Sequence, residues 1–348
     1  MAHEIFNNIS ISGIACAVPS KIENNMDYVD KLGIEEVQKF IKTVGVESKR
    51  LVSDKQTTSD LCFVAAQELI KKKQIDKESI DAIIFLTQSP DYLYPATSHV
   101  LHKRLQLSKD CLAFDINLGC SGYVYGLYIA SSMLQGKNLK KVLFLAGEAP
   151  YANPESEVKS KMLFGDAGSA TLIEKGDSDI KCLLKANGEG YTAIIVPGGS
   201  NRNPIKNFDK YHKSIASQMD GPDVFEFTIT DVPRAFKEFF NIYGGNIEDY
   251  DYCVFHQANL FMLKHIAKKI KLPLDKMPIS MDIYGNTSSA TIPLSIVDLC
   301  ERQNVPNRLN LITSGFGIGL SWGVVSFKIN KDDILPIIIT DDYFKEAF

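Results

Sequence analysis

The chain has 348 residues, so it can bury a large core, either in one large α/β domain or in two units. Its 38 Lys and Arg against 42 Asp and Glu give a formal net charge of −4, which predicts no general attraction to nucleic acid or to an anionic membrane. No segment approaches the roughly 18 apolar residues of a membrane span. The N-terminal MAHEIFNN lacks a secretory pattern, so we expect a cytoplasmic protein.

Strand-like and helix-like segments alternate along the chain, which is typical of an α/β fold. The predicted strands cover residues 9–15, 82–87, 111–117, 141–146, 170–173, 252–256, 310–313 and 323–328. The predicted helices cover residues 59–72, 96–104, 121–135, 232–243, 261–270 and 288–302. Residues 174–224, rich in Gly, Asn and Lys, are predicted to form a loop-rich linker between two halves. No contact is predicted for the tail after Asn330.

One thiol lies where a predicted strand turns into a predicted helix. The strand over 111–117 ends just before Gly119-Cys120-Ser121-Gly122, and helical apolar spacing follows. At such a corner the sulfur lies near unpaired N–H groups and the positive end of the helix dipole, both of which favour thiolate over thiol. The sequence therefore predicts that Cys120 is a nucleophile.

The other six cysteines are expected to be ordinary core residues. The total of seven is odd, the residues are scattered from Cys16 to Cys300, and no CxxC pair occurs. This pattern argues against a disulfide framework and against a zinc site. We expect neither a metal nor a cofactor.

Five motifs in a fixed order resemble the β-ketoacyl-[acyl-carrier-protein] synthase III family of the thiolase superfamily. They are GCSG at 119–122, FGDAGSA at 164–170, HQAN at 256–259, GNTS at 285–288 and FGIGLSWG at 316–323. The resemblance covers about residues 13–327 and implies a thiolase-like α/β fold of two similar halves related by a pseudo-twofold axis. Residues 1–175 would carry the nucleophile, residues 176–330 the His and Asn, and residues 331–348 a tail of unknown role.

The resemblance implies a decarboxylating condensation of an acyl thioester starter with malonyl-acyl carrier protein. Cys120 would hold the acyl group, which splits the reaction into two easier steps. The backbone N–H groups of Cys120 and Gly319 would bind the tetrahedral oxyanion. The enolate left after loss of carbon dioxide needs neutral donors, and His256 Nε2–H and the Asn286 amide meet that requirement.

Each assignment has an alternative. Cys120 could be a core cysteine, His256 an interior histidine, Asn286 a helix N-cap and Gly319 part of a tight turn. Asp166 in FGDAGSA is expected to hold a turn rather than to take part in catalysis.

Three other functions stay open at this point. A relative of the same family could pass the acyl group to a hydroxyl or amine of a specialised metabolite or sugar. Papain-like proteases share the order Cys, His, Asn, but the CGxCW surroundings of their cysteine are missing here. A catalytically inactive assembly subunit is disfavoured, because all three side chains are present.

We expect the carrier protein to dock on a basic face of one helix. Lys264, Lys268 and Lys269 lie close together on the predicted helix over 261–270, and such a face suits an acidic partner, although a solvated lysine face is equally compatible. The resemblance places Tyr94 where an aromatic residue closes the acyl pocket of the partner subunit, and so implies a homodimer.

The chain departs from the family where coenzyme A would bind. A Trp and Arg residues commonly sandwich its adenine, yet the one tryptophan is Trp322, and residues 39–45 and 154–161 contain no Arg. Phe261 also replaces the Arg that usually follows the HQAN motif. We therefore expect a starter delivered by a carrier protein rather than by coenzyme A.

Overall fold

The computed structural model describes residues 2–150, 158–204 and 216–346. In this part of the chain the strands are β1 (Ala2–Phe6), β2 (Ile9–Val18), β3 (Ile22–Asn24), β4 (Ser48–Arg50), β5 (Ala82–Leu86), β6 (Leu112–Ile116), β7 (Lys141–Glu148), β8 (Ala167–Lys175), β9 (Ile180–Ala186), β10 (Ile194–Ile195), β11 (Gln218–Met219), β12 (Tyr252–Phe255), β13 (Arg308–Gly317), β14 (Ser321–Asn330) and β15 (Ile338–Ile339). The helices are α1 (Val29–Leu32), α2 (Ile34–Val44), α3 (Thr58–Lys72), α4 (Thr97–Leu105), α5 (Gly122–Leu134), α6 (Val158–Leu163), α7 (Gly221–Tyr243), α8 (Leu260–Ile270), α9 (Met281–Tyr284) and α10 (Thr291–Arg302).

Two large sheets repeat one topology. The first has the order β15-β2-β8-β7-β5-β6 and the second the order β1-β9-β14-β13-β12. In the first sheet β8 runs antiparallel to β2 and β7, and β7 runs parallel to β5. In the second sheet β14 runs antiparallel to β9 and β13, and β13 runs parallel to β12. The predicted α/β duplication is therefore present, whereas the domain boundaries at 175 and 330 stay predictions.

Two helices lie between the sheets. α5 contacts strands of both sheets, and α10 packs on β2, β8, β12 and β13. α5 suits this place because it is apolar almost all round, and the first nine residues of α10 are buried. Gly126 lets α5 approach β7, since a Cβ there would lie 2.0 Å from the Phe144 ring. α3 covers the outer face of the first sheet, and α7 covers that of the second.

All eight predicted strands and all six predicted helices are present, with shifted ends. The largest shift is in α7, which begins at Gly221 instead of 232 because the Asp220 carboxylate caps it and proline in the first turn suits a helix start. The helix continues through Pro233.

The predicted linker over 174–224 is wrong for its first part. β8 extends to Lys175, and β9 is an interior strand that pairs with both β1 and β14. Ile180, Cys182, Leu183 and Leu184 are buried, but Lys181 and Lys185 interrupt the apolar run, so the sequence pattern does not indicate a strand. Residues 205–215 of the predicted linker lie outside the described residues.

The tail after Asn330 packs on the first sheet. β15 pairs with the end of β2, and the Gln56 side chain donates to the carbonyl oxygens of Thr340 and Asp342 at 3.1 and 3.0 Å. The Phe344 N–H donates to the Asp60 carboxylate, which also forms a buried ion pair with Arg104. Over residues 2–150, 158–204 and 216–346, no helix is both long and apolar enough to cross a membrane.

Candidate active site

Three chain segments bring Cys120, His256 and Asn286 together around one turn. Cys120 precedes α5, His256 follows β12, and Asn286 lies in the short turn that leads into α10. Ser288 connects them. Its hydroxyl lies 3.6 Å from Cys120 Sγ, its N–H donates to Asn286 Oδ1 at 2.9 Å, and its carbonyl accepts from Thr291. The sequence-predicted residues therefore share one site.

The Cys120 side chain is half-buried and lies against the glycine-rich end of β13. A Cβ at Gly317 would come within 2.7 Å of Cys120 Cβ, so only glycine allows this approach. Burial raises the pKa of the Cys120 thiol to about 11, the Ser288 hydroxyl and the Cys120 backbone N–H oppose the rise, and the charge of Glu148 adds to it. The backbone N–H at the corner thus favours the thiolate as expected, but burial outweighs it and the net pKa is raised.

His256 is a buried neutral side chain. It is 2% exposed, and burial lowers its pKa to about 3, opposed by the Ser288 backbone carbonyl. Its Nδ1 lies 2.8 Å from Thr291 Oγ1, and its ring meets Phe316 edge-on at 5.5 Å. The imidazole therefore stays uncharged over the whole range of neutral pH.

Asn286 is held by its own backbone as well as by its side chain. Its N–H donates to the Leu163 carbonyl at 2.9 Å, and its carbonyl accepts from the Gly165 N–H at 3.2 Å. A Cβ at Gly165 would lie 2.1 Å from the Tyr284 carbonyl, which explains the glycine of FGDAGSA. Because Oδ1 accepts from Ser288, Asn286 does cap the turn, and its amide nitrogen is the group that can donate to a ligand.

Gly319 is the middle residue of the connection from β13 to β14. It has φ +142°, a conformation that favours glycine, and the atoms nearest to a Cβ there belong to Ser321. The Ser321 hydroxyl donates to the Ile318 carbonyl at 2.7 Å and lies 2.6 Å from the Ser121 hydroxyl. These contacts tie the glycine turn to the residue that follows Cys120.

The remaining predicted residues are exposed. Tyr94 is 82% exposed, so within a single chain it does not line a buried pocket. Lys264, Lys268 and Lys269 are exposed on α8, which begins four residues after His256 and is capped by Asn259 Oδ1 at 2.8 Å from the Met262 N–H.

Trp322 is not placed to stack on a ligand. It is 9% exposed and packs edge-on against Phe227 at 5.1 Å. Residues 39–45 fall mostly within α2, and residues 154–157 of the other predicted coenzyme A stretch lie outside the described residues.

Sequence reasoning missed three polar residues of this site. Ser288 and Thr291 contact the predicted residues directly. Glu148 is 5% exposed, accepts from the Gln88 N–H at 2.7 Å and the Ser89 hydroxyl at 2.8 Å, and has its pKa raised to about 7 by burial. A carboxylate at the end of the apolar run over 141–146 was the available signal for Glu148.

The chain is similar in sequence and in fold to known proteins. Residues 114–188 match the family model of 3-oxoacyl-[acyl-carrier-protein] synthase III, and residues 242–329 match its C-terminal model. A putative 3-oxoacyl-[acyl-carrier-protein] synthase 3 of Campylobacter jejuni is 32% identical over 93% of this chain and 95% of its own. A β-ketoacyl-[acyl-carrier-protein] synthase III of Clostridium acetobutylicum is 32% identical over 93% of this chain and its full length. The crystal structure of a 3-oxoacyl-(acyl-carrier protein) synthase from Burkholderia xenovorans superposes with a TM-score of 0.89 at 35% identity, covering 97% of this chain and 99% of that one.

Replacing Ser288 with Ala is expected to raise the pKa of the Cys120 thiol further, because the hydroxyl that favours the thiolate is lost. Alkylation of Cys120 by iodoacetamide should become about 2- to 10-fold slower at pH 8, the range expected for one hydrogen bond. The pH dependence of the alkylation rate, read on the Cys120 peptide by mass spectrometry, measures the effect.

The matched control is Ser289→Ala. Ser289 is also buried, and its hydroxyl has no hydrogen-bond partner among the residues that the structure describes. The control should leave the alkylation profile unchanged. An identical profile for Ser288→Ala and wild type would contradict the role of the Ser288 hydroxyl.

Proposed function

Because this chain belongs to the 3-oxoacyl-[acyl-carrier-protein] synthase III family, we propose that it condenses an acyl thioester starter with malonyl-acyl carrier protein through an acyl-Cys120 intermediate. The observation that carries the proposal is the convergence of Cys120, His256 and Asn286 on the Ser288 turn. One nucleophile and two neutral nitrogen side chains are the groups that this two-step chemistry needs.

In the first step Cys120 Sγ attacks the thioester carbonyl of the starter. The new carbon–sulfur bond replaces the one to the donor thiol, which leaves with the proton of the Cys120 thiol. The backbone N–H groups of Cys120 and Gly319 are proposed to bind the oxyanion. Since the pKa of Cys120 is about 11, the thiol predominates at neutral pH and loses its proton as the attack proceeds.

In the second step the malonyl thioester loses carbon dioxide. The enolate carbon attacks the acyl carbonyl, the carbon–sulfur bond to Cys120 breaks, and the released thiolate regains a proton. We assign the Asn286 amide and the His256 Nε2 to the enolate oxygen. Burial keeps His256 neutral, and a neutral ring can donate to the enolate without giving up its proton outright.

Transfer of the acyl group to a hydroxyl or amine is not favoured. The relatives from Campylobacter jejuni and Clostridium acetobutylicum are named as 3-oxoacyl or β-ketoacyl synthases. A buried Asn and a neutral His beside the thiol also suit an enolate better than the deprotonation of an acceptor hydroxyl.

Replacing Asn286 with Ala is expected to separate the two steps. The variant should still form acyl-Cys120, because the attack on the starter does not use Asn286. Release of carbon dioxide from malonyl carrier should fall about 100-fold or more, the usual effect of losing one donor to an oxyanion. Intact-protein mass and radiolabelled carbon dioxide measure the two steps on the same preparation.

Asn286→Asp is the matched variant. It keeps the volume and the oxygen that accepts from Ser288, but it removes the N–H donor. It should fail in decarboxylation as Ala does. Carbon dioxide release at the wild-type rate in either variant would refute the assignment and favour acyl transfer without condensation.

We propose that Lys264, Lys268 and Lys269 dock the carrier protein. Their exposed ammonium groups lie on α8, whose chain leads directly from His256, so a partner bound there would be close to the site. An acidic carrier would be attracted to this face by charge, and the attraction would weaken with salt.

Reversing Lys264, Lys268 and Lys269 to Glu is expected to raise KM for malonyl carrier about 10-fold at low salt, with a smaller effect at 0.5 M salt. Steady-state kinetics at two ionic strengths measure this. Reversal of the exposed Lys71, Lys72 and Lys137 is the control with the same change in net charge. An equal KM for both triple variants would mean that the α8 lysines are solvent-exposed residues with no role in docking the carrier protein.

We propose that the chain forms a homodimer through β6. In the described part of the chain β6 has one neighbour, β5, and Leu112 on it is 51% exposed. An apolar edge strand with unpaired backbone groups favours pairing with a second copy. The Asp115 carboxylate accepts from the Thr97 and Ser98 N–H groups, which brings the exposed Tyr94 loop beside this edge. Tyr94 would then reach the acyl pocket of the partner subunit.

Leu112→Lys is expected to shift the protein from dimer to monomer, because each copy would then bring a charged side chain to the apolar paired edge. Sedimentation velocity at micromolar concentration measures the shift. Leu274→Lys, at a leucine that is 57% exposed elsewhere, should stay dimeric. A wild type that sediments as a monomer would refute the proposed dimer.

We also propose that the protein works in the cytoplasm. All seven cysteines are free, as expected for a reducing compartment. Recovery of the protein in a secreted or periplasmic fraction would contradict this.

A further inference from the structure

We propose that Thr291 is a positioning residue for His256. Its hydroxyl holds Nδ1 of the imidazole, which leaves Nε2 as the nitrogen that we assign to the enolate. The inference rests on the proposed function and deepens it, because it identifies what orients the ring that is assigned to the enolate.

The hydroxyl of Thr291 is fixed from the backbone side. Thr291 is 1% exposed at the start of α10, and its Oγ1 donates to the Ser288 carbonyl, three residues earlier, at 2.8 Å. Such a bond is typical of Thr near a helix start, and the branched side chain has few χ1 rotamers. Oγ1 is therefore held in place and does not move with the His256 ring.

The same oxygen lies 2.8 Å from His256 Nδ1. His256 is 2% exposed, so its ring is shielded from bulk water and relies on its contacts with Thr291 Oγ1 and the Ser288 carbonyl. Since one ring nitrogen is engaged by α10, the other is the nitrogen that can serve the site. The ring face is further restricted by Phe316, whose ring meets it edge-on.

A hydroxyl is suited to this task because it can both accept and donate. While Thr291 donates to Ser288, its oxygen accepts from Nδ1–H. When the O–H turns towards Nδ1, the ring proton resides on Nε2, which is the form that donates to an enolate. The Ser288 carbonyl, which also contacts the ring, can only accept, so it favours a proton on the ring nitrogen that faces it. Thr291 therefore holds the ring in both tautomers.

Thr291→Val is the decisive variant, because valine keeps the shape and removes the hydroxyl. We expect kcat for malonyl decarboxylation to fall about 10- to 100-fold, the usual effect of removing a group that orients a functional histidine. KM for malonyl carrier should change less than about 3-fold, and Cys120 should still be acylated. Thr291→Ser should restore decarboxylation to within about 3-fold of wild type, because the hydroxyl is back.

The control is Thr287→Val in the same turn. Thr287 is fully buried, and its hydroxyl has no hydrogen-bond partner in the described ranges of the chain. It should behave as wild type. Unchanged decarboxylation in Thr291→Val would overturn the proposal. A folded Thr291→Ser variant that is as slow as Thr291→Val would also overturn it. An equal loss of decarboxylation in Thr287→Val would overturn it as well.

Crystal structures of Thr291→Val and Thr287→Val provide a measurement that does not depend on the reaction. The His256 ring should be rotated away from its wild-type position in the first variant and unchanged in the second. An unmoved ring in Thr291→Val would overturn the proposal even if activity falls. If wild type itself releases no carbon dioxide, the proposed function fails, and the ring position still decides the role of Thr291.

Discussion

The candidate site depends on the backbone and the hydroxyl of one residue, Ser288. Its N–H orients Asn286, its carbonyl fixes Thr291 and thereby His256, and its hydroxyl meets the Cys120 thiol. Ser288 has φ +50°, a left-handed conformation that costs a non-glycine residue about 1 kcal/mol or more. The packing of α5 and α10 between the sheets maintains this conformation, because the starts of both helices meet at the turn.

Both sheets contribute backbone segments that make close contacts at the candidate site. Gly165, just before β8 of the first sheet, bonds to Asn286, and Gly317 at the end of β13 in the second sheet packs on Cys120. A Cβ at Gly285, which has φ +68°, would meet the Leu163 carbonyl at 2.8 Å. The glycines of three separate motifs therefore serve one purpose, which is to let two halves of the chain approach at the thiol.

Apolar patterning was sufficient to predict the strands and helices that carry Cys120 and His256, because these elements are buried and regular. It failed for β9, whose lysines interrupt a short apolar run, and for the tail, whose contacts with Gln56 and Asp60 join residues far apart in the chain. Motifs identified Cys120, His256 and Asn286, which the structure brings to one turn. The raised pKa of Cys120 and the roles of Ser288 and Thr291 depend on burial and on contacts between distant segments, which no local pattern records.

The central claim, that Cys120 carries the acyl group through a decarboxylating condensation, is tested most directly by intact-protein mass spectrometry in two stages. Incubation with an acyl-carrier thioester should add the mass of one acyl group to the peptide that contains Cys120. Addition of malonyl carrier should then remove that mass and yield carbon dioxide with a 3-oxoacyl carrier, and Cys120→Ala should do neither. An adduct on another cysteine, or loss of the adduct without carbon dioxide, would contradict the claim.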